Sequence, residues 1–207
     1  MTEIIKLLTK EYPGATTALK YSSPLELLVA TILSAQSTDQ KVNEITPVLF
    51  KKYRSAADYA QAPLKELEGY LKSLGLYRSK AKYIKESSRV IVKRFDSKVP
   101  QTMAEMLTLP GVARKTANIV LAKAFGVIEG IAVDTHVKRL AQRLHLSLEK
   151  SPEKIEKNLM RKIPKAEWAH ITDLLIAHGR LICMARKPKC RDCVINHLCP
   201  SAFTFGS

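Results

Sequence analysis

Cysteine is absent until position 183 of this 207-residue chain. A scattered disulfide framework is therefore excluded. Long apolar runs are missing too: nothing approaches the roughly 18–20 residues that a membrane span needs. The opening residues, Met1-Thr2-Glu3-Ile4-Ile5-Lys6-Leu7-Leu8, place Glu3 and Lys6 among the apolar ones. No signal-peptide core is present, so export is not expected. No segment alternates as a strand does, and no Gly/Ser/Pro stretch reads as a linker. Hydrophobic residues make up 46% and charged residues 26%, which excludes wholesale disorder.

Acidic residues are scarce. Nineteen Asp and Glu face 34 Lys and Arg, a formal charge of +15. A surplus of this size on a globular chain points to a polyanionic partner, most often nucleic acid. The plain alternative is a solvated basic surface with no specific partner. The charge is concentrated. Residues 72–98 hold nine basic side chains and two acids, a local +7. Residues 180–191 add Arg180, Arg186, Lys187, Lys189 and Arg191 with no acid.

What is there reads as helix throughout. Pro24 to Gln36 is apolar on nearly every face, as in a fully buried helix. Ser37-Thr38-Asp39-Gln40 has the form of a Ser-x-x-Gln capping box that starts the next helix. A helix near 63–74 ends at Gly75. Another, about 79–95, lines up Ala81, Ile84, Ser88, Ile91 and Phe95 and turns its Lys and Arg to the other faces. Further helices are expected at about 101–108, 114–125, 135–146, 152–161 and 165–180. Trp168, Ile171, Leu174 and Leu175 follow helical spacing and read as core. The fold class is all-α, with a Cys-rich C-terminal appendix. One short internal similarity pairs Leu74-Gly75-Leu76-Tyr77-Arg78 with Pro110-Gly111-Val112-Ala113-Arg114.

The second of those segments carries chemistry. Pro110 stops one helix, Gly111 permits a tight turn and close approach, and the next helix opens with N–H groups that favour phosphate. Leu109 to Thr116 thus reads as a helix–hairpin–helix, a motif that grips DNA through its backbone without reading sequence. Gly111, Ala113 and Arg114 are its candidate DNA contacts. An ordinary helix–helix corner is the plain alternative. Lys115 lies in the first turn of the following helix. It is either a surface lysine or a nucleophilic amine, and only the neutral amine attacks. The positive helix end, adjacent Arg114 and desolvation under DNA all favour that form. Asp134 precedes a helix and reads first as its N-cap. A carboxylate fixed there is also able to stabilise a developing sugar cation. His136 reads as structural, and the other histidines share no metal-ligand spacing.

The cysteines run Cys183-x6-Cys190-x2-Cys193-x5-Cys199. Clustered thiols in an unexported chain read as metal ligands. Zn²⁺ and a [4Fe–4S] cluster both accept four thiolates. Only Cys190 and Cys193 are close-spaced, unlike the paired thiols of a zinc ribbon, which tilts the choice towards the cluster.

Taken together, these markers resemble the endonuclease III family of DNA repair glycosylases over nearly the whole chain. The matching residues are Leu33-Ser34-Ala35-Gln36-Ser37-Thr38-Asp39, Leu109 to Asn118, Val133-Asp134-Thr135-His136-Val137, His178-Gly179-Arg180 and the Cys spacing. The resemblance implies a two-domain helical glycosylase fold. A six-helix domain over 22–132 would carry the helix–hairpin–helix at about 105–125. Residues 1–21 with 133–207 would form the domain that bears the iron–sulfur loop, 183–199. It also implies a [4Fe–4S] cofactor on the four cysteines, Lys115 as nucleophile, Asp134 as catalytic carboxylate, and Gln36 filling the gap left by a flipped base. Two departures are Ala113, where the hairpin often has a second Gly, and the loop 126–130, about one residue longer than usual.

The expected function is a base-excision-repair DNA glycosylase with abasic-site lyase activity on oxidised or damaged pyrimidines. The expected partner is double-stranded DNA containing damaged bases or abasic sites, with Arg186, Lys187 and Lys189 as further phosphate contacts. The protein is expected to be a cytoplasmic, nucleoid-associated monomer with no membrane attachment. The competing readings are a monofunctional mismatch, uracil or adenine glycosylase that uses water, and a non-enzymatic iron–sulfur DNA-binding protein.

Overall fold

The computed structural model describes residues 1–204. Among them the α-helices are α1 Thr2–Glu11, α2 Pro24–Leu33, α3 Asp39–Lys52, α4 Ala56–Gln61, α5 Leu64–Leu71, α6 Tyr77–Arg94, α7 Met103–Met106, α8 Arg114–Phe125, α9 Thr135–Arg143, α10 Pro152–Lys162 and α11 Trp168–Leu181. The described residues contain no strand, so the all-α reading holds. No helix among them is long and apolar enough to cross a membrane.

The chain compacts into two units. One is Ala18–Glu129, and the other joins Met1–Thr17 to the chain from Gly130 onward. The divisions fall at 17/18 and 129/130 rather than at 21/22 and 132/133. Leu19 belongs to the core of the first unit, and Ile131 to that of the second. The first unit holds α2 to α8.

In the first unit α6 is the central strut, packed against α2, α4 and α5, while α2 also packs against α8. Ser23 caps α2 by accepting from the Glu26 amide at 3.2 Å, and Pro24 occupies the first helical position. Leu27 to Leu33 are all buried, as the apolar run requires. The helix stops at Leu33 rather than Gln36, with Ser34 as its C-cap, and Gln36 beyond it is left-handed at φ 52°. The expected cap at Ser37 is Thr38 instead, whose hydroxyl accepts from the Lys41 amide at 3.3 Å. Along α6, Ala81, Ile84, Ser88 and Ile91 are buried as expected.

The two similar turns differ in detail. In the first the left-handed residue is Leu76, φ 58°, and α6 starts directly after it. In the second it is Gly111, φ 78°, and Val112 and Ala113 intervene before α8.

In the second unit α9 and α11 pack together, α1 lies on α11, and α10 on α9. Ile5, Leu8, Val137, Leu140, Ile155, Leu159, Ile171 and Leu174 form its core. α9 ends at Arg143 rather than near 146, with His145 left-handed at φ 53°. The turn Lys165–Glu167 is a 3-10 segment that leads into α11.

Candidate nucleic-acid interface and thiol cavity

The hairpin consists of α7, the turn 107–113 and α8. Leu109 and Val112 are buried and anchor the turn, and the Val112 amide donates to the Leu109 carbonyl at 3.1 Å. The turn rests on α6. The Ser87 hydroxyl donates to the Pro110 carbonyl at 2.5 Å. A Cβ on Gly111 would stand 2.5 Å from Tyr83 Cγ and 2.6 Å from Tyr83 Cβ. Gly111 is therefore required twice, by its positive φ and by Tyr83. Ala113, the departure noted above, has φ −91° and ψ 169°, a conformation open to any residue.

Ala113 is the N-cap of α8, no side chain caps it, and no acid lies in the first turn. The positive end of a 12-residue helix is thus presented next to the turn, an arrangement suited to an anion. Arg114 is half-buried at the first helical position, and Lys115 is exposed at the second. Gln36 is exposed in the loop between α2 and α3. A Cβ on Gly75 would meet the Gln36 carbonyl at 3.2 Å, so the start of the α6 turn abuts that loop. Leu76 follows, 54% exposed in its left-handed conformation. Sequence reasoning had assigned it nothing. The available signal was a large apolar residue between a glycine and a helix start.

Asp134 belongs to the other unit. It caps α9, its Oδ1 accepting from the Val137 amide at 2.8 Å. The segment after it is tied to the Cys-rich loop through Arg139, which donates to the carbonyls of Gly179 at 2.8 Å and Cys183 at 3.0 Å. A Cβ on Gly179 would come within 3.0 Å of Arg139 Nη2 and of His136 Nδ1, which accounts for the glycine in His178-Gly179-Arg180. Burial, Arg139 and Arg180 push the His136 imidazole below its ordinary value against the pull of Asp134. His136 Nδ1 lies 3.1 Å from Arg139 Nη2.

All four cysteines line one pocket, together with Leu140, Arg143 and His178. No three His, Cys, Asp or Glu side chains among the described residues stand close enough to hold a single metal ion. A lone Zn²⁺, with sulfurs at about 2.3 Å, needs them that close, whereas a four-iron cluster holds its thiolates farther apart. The donor set, four free thiols facing one pocket, therefore fits the larger group. Burial and the neighbouring sulfurs push the Cys193 thiol up to about 11, and Cys199 rises for the same reasons.

Sequence reasoning missed two supports. Arg143, 8% exposed, donates to Cys183 Sγ at 3.2 Å and to the carbonyls of Met184 at 2.8 Å and Ala185 at 3.1 Å. His178 meets Cys193 Sγ at 3.3 Å through Nε2 and the Tyr12 hydroxyl at 2.9 Å through Nδ1. Burial lowers it to about 4, so it stays neutral. A signal for Arg143 was its place four residues after Arg139 on a helix whose other buried residues are apolar. Between Cys183 and Cys190 the loop exposes Arg186, Lys187 and Lys189, with Lys187 left-handed at φ 51°.

The helical fold with its hairpin turn defines a class, and known proteins of that class match it. The description "HhH-GPD superfamily base excision DNA repair protein" fits residues 29–165. Endonuclease III of Synechocystis sp. is 54% identical over 201 residues, covering 97% of this chain and 92% of that protein. Endonuclease III of Bacillus subtilis is 47% identical over 189 residues, covering 91% and 86%. A solved structure of a trapped covalent endonuclease III–DNA intermediate matches with a TM-score of 0.93 at 42% identity, covering 98% of this chain and 95% of that one. The chain belongs to the endonuclease III family of the HhH-GPD superfamily.

Proposed function

We propose that this protein removes damaged, chiefly oxidised, pyrimidines from duplex DNA and then cleaves the strand at the resulting abasic site. The observation that carries this reading is Lys115, an exposed amine in the first turn of an uncapped helix that opens from a glycine hairpin. The covalent endonuclease III–DNA relative supports the same chemistry. A base stacked in duplex hides its sugar, so the nucleotide must first be flipped out. Gln36, with exposed Leu76 beside its loop, would fill the vacancy. The Lys115 amine forms a bond to C1′ and the base departs with the glycosidic electron pair. Loss of the amine proton and opening of the sugar give a Schiff base. Removal of a C2′ proton then expels the 3′ phosphate by β-elimination. Asp134 offsets positive charge on the sugar.

Binding is assigned to Gly111, Ala113 and Arg114 on one phosphate and to Arg186, Lys187 and Lys189 on others. Cys183, Cys190, Cys193 and Cys199 would hold a [4Fe–4S] cluster, which when bound fixes the shape of that basic loop. The reading has the protein working as a monomer on chromosomal DNA in the cytoplasm.

Borohydride trapping tests the central step. Wild type should become covalently attached to lesion-containing DNA. Lys115→Ala should lose trapping and cleavage together while keeping affinity for damaged duplex. Lys115→Arg should fail as well, since guanidinium stays protonated. Asp134→Asn should slow base removal yet still process a preformed abasic site in part. Efficient trapping by Lys115→Ala would make another amine the nucleophile. Base release by wild type with no trapping would favour a water-using, monofunctional enzyme.

A further inference from the structure

Lys80 is 2% exposed, although Arg78 and Lys82 beside it on α6 face solvent. Its Nζ donates to the Ser37 hydroxyl at 2.7 Å. No carboxylate among the described residues lies within ion-pair distance of it. A buried ammonium held by one neutral oxygen is an expensive arrangement. An apolar side chain of similar length would fill the same space at lower cost. What the amine adds is a grip on Ser37, across 43 positions of sequence.

Ser37 adjoins Gln36, and Gln36 is held in a conformation that L residues avoid unless their surroundings enforce it. The turn before α6 and α6 itself lie against this loop at Gln36 and Ser37. A Cβ on Gly75 would stand 3.2 Å from the Gln36 carbonyl oxygen, so the glycine lets the loop lie close, and Lys80 fixes the next residue. Ser37 is thereby kept from capping α3, a task left to Thr38.

We infer that Lys80 is a positioning residue: by holding Ser37 it keeps the 34–38 loop in the shape that presents the Gln36 side chain to the gap in the base stack. The inference rests on the reading of Gln36 given above. Pre-set geometry matters here because a misplacement of about 1 Å costs up to about 100-fold in rate.

The experiment uses the full chain with its cofactor loaded. Lys80→Met, Ser37→Ala, Ser37→Thr, Gln36→Ala and the Lys80→Met/Gln36→Ala double variant are compared by two measurements. One is the single-turnover excision rate on a duplex with one damaged pyrimidine. The other is the fluorescence of 2-aminopurine placed opposite the lesion, which rises when the stack opens. Lys80→Met and Ser37→Ala should each slow excision about tenfold and alter the fluorescence as Gln36→Ala does. Melting temperature should not fall for Lys80→Met, and Ser37→Thr, which keeps the hydroxyl, should restore the rate. The double variant should lose little more than Gln36→Ala alone.

If Gln36→Ala slows excision while folded Lys80→Met and Ser37→Ala match wild type, the positioning role is wrong and the gap-filling role stands. If Gln36→Ala changes neither readout, the gap-filling reading falls and takes the inference with it. Losses that multiply in the double variant would make Lys80 a structural residue independent of Gln36. Should Lys80→Met fail to fold, Ser37→Ala decides alone.

Discussion

Gly111→Ala is the substitution whose cost the structure sets most directly. Two independent penalties meet at this position. At φ 78° an alanine enters the left-handed region, which costs about 1–2 kcal/mol. Its Cβ would also stand 2.5 Å from Tyr83 Cγ and 2.6 Å from Tyr83 Cβ. Those atoms sit at the root of the side chain, so rotating the ring does not clear them, and either the turn or α6 must shift. Overpacking of that kind costs about 1–3 kcal/mol. The sum is about 2–5 kcal/mol, measured as the change in denaturant midpoint at constant slope. Tyr83→Ala removes Cγ but leaves Cβ, so it should recover only part of the clash and none of the strain in φ. The double variant should therefore show a coupling of about 1 kcal/mol, smaller than the single loss. Ala113→Gly supplies the contrast. Its backbone needs no glycine, so the change should cost only the extra freedom of the unfolded chain, about 0.4–1 kcal/mol. A loss below about 0.5 kcal/mol for Gly111→Ala, with no coupling to Tyr83, would refute the argument.

Two further outcomes follow from the second unit. Pure protein should be yellow-brown, with broad absorption near about 400 nm from thiolate-to-iron charge transfer, and Cys190→Ser should lose cluster or solubility before it alters chemistry. A colourless protein with one bound zinc would overturn the cluster assignment. Duplex affinity should fall steeply and linearly on a log–log plot against salt, and Lys187→Ala and Lys189→Ala should each lower that slope by about one with lesion preference unchanged. An unchanged slope would move the DNA contacts to another face.

The parts of the fold that were legible from sequence are those whose signal is local. The α2 run had to be buried because it has no polar face. The start of α8 at Arg114 follows from Pro110 and Gly111, which leave few other ways to turn. Asp134 capping α9 is of the same kind, since a carboxylate before an apolar-periodic segment finds the helix amides unaided. Two helices, α1 and α4, were not legible. α4 spans six residues with two buried, Ala56 and Tyr59, and its clearest mark is the Ser55–Asp58 capping box. α1 shows its spacing only through Ile4, Ile5 and Leu8. The supports of the cysteine loop were hidden for a different reason. Arg143 and His178 reach Cys183 and Cys193 from α9 and α11, and distance along the chain conceals such contacts.

Ser37 shows the limit most sharply. By local rules it is the better cap for α3, because Gln40 stands three residues on, where a capping box wants it. Thr38 offers the same hydroxyl with Lys41 in that place. Local propensities separate the two by a few tenths of a kcal/mol at most. A hydrogen bond to a charged donor is worth about 1.5–3 kcal/mol, more still where the alternative is a buried ammonium with no acceptor. Lys80 thus outweighs the capping preference, takes Ser37, shifts the helix start by one residue, and leaves Gln36 in the left-handed turn that precedes it. Pattern counting on α6 treats Lys80 as one more solvated lysine, since nothing within that helix shows that a loop 43 residues earlier comes to rest on it. The contact that misleads a local reading of the cap is the same contact that holds the residue assigned to the gap in the base stack.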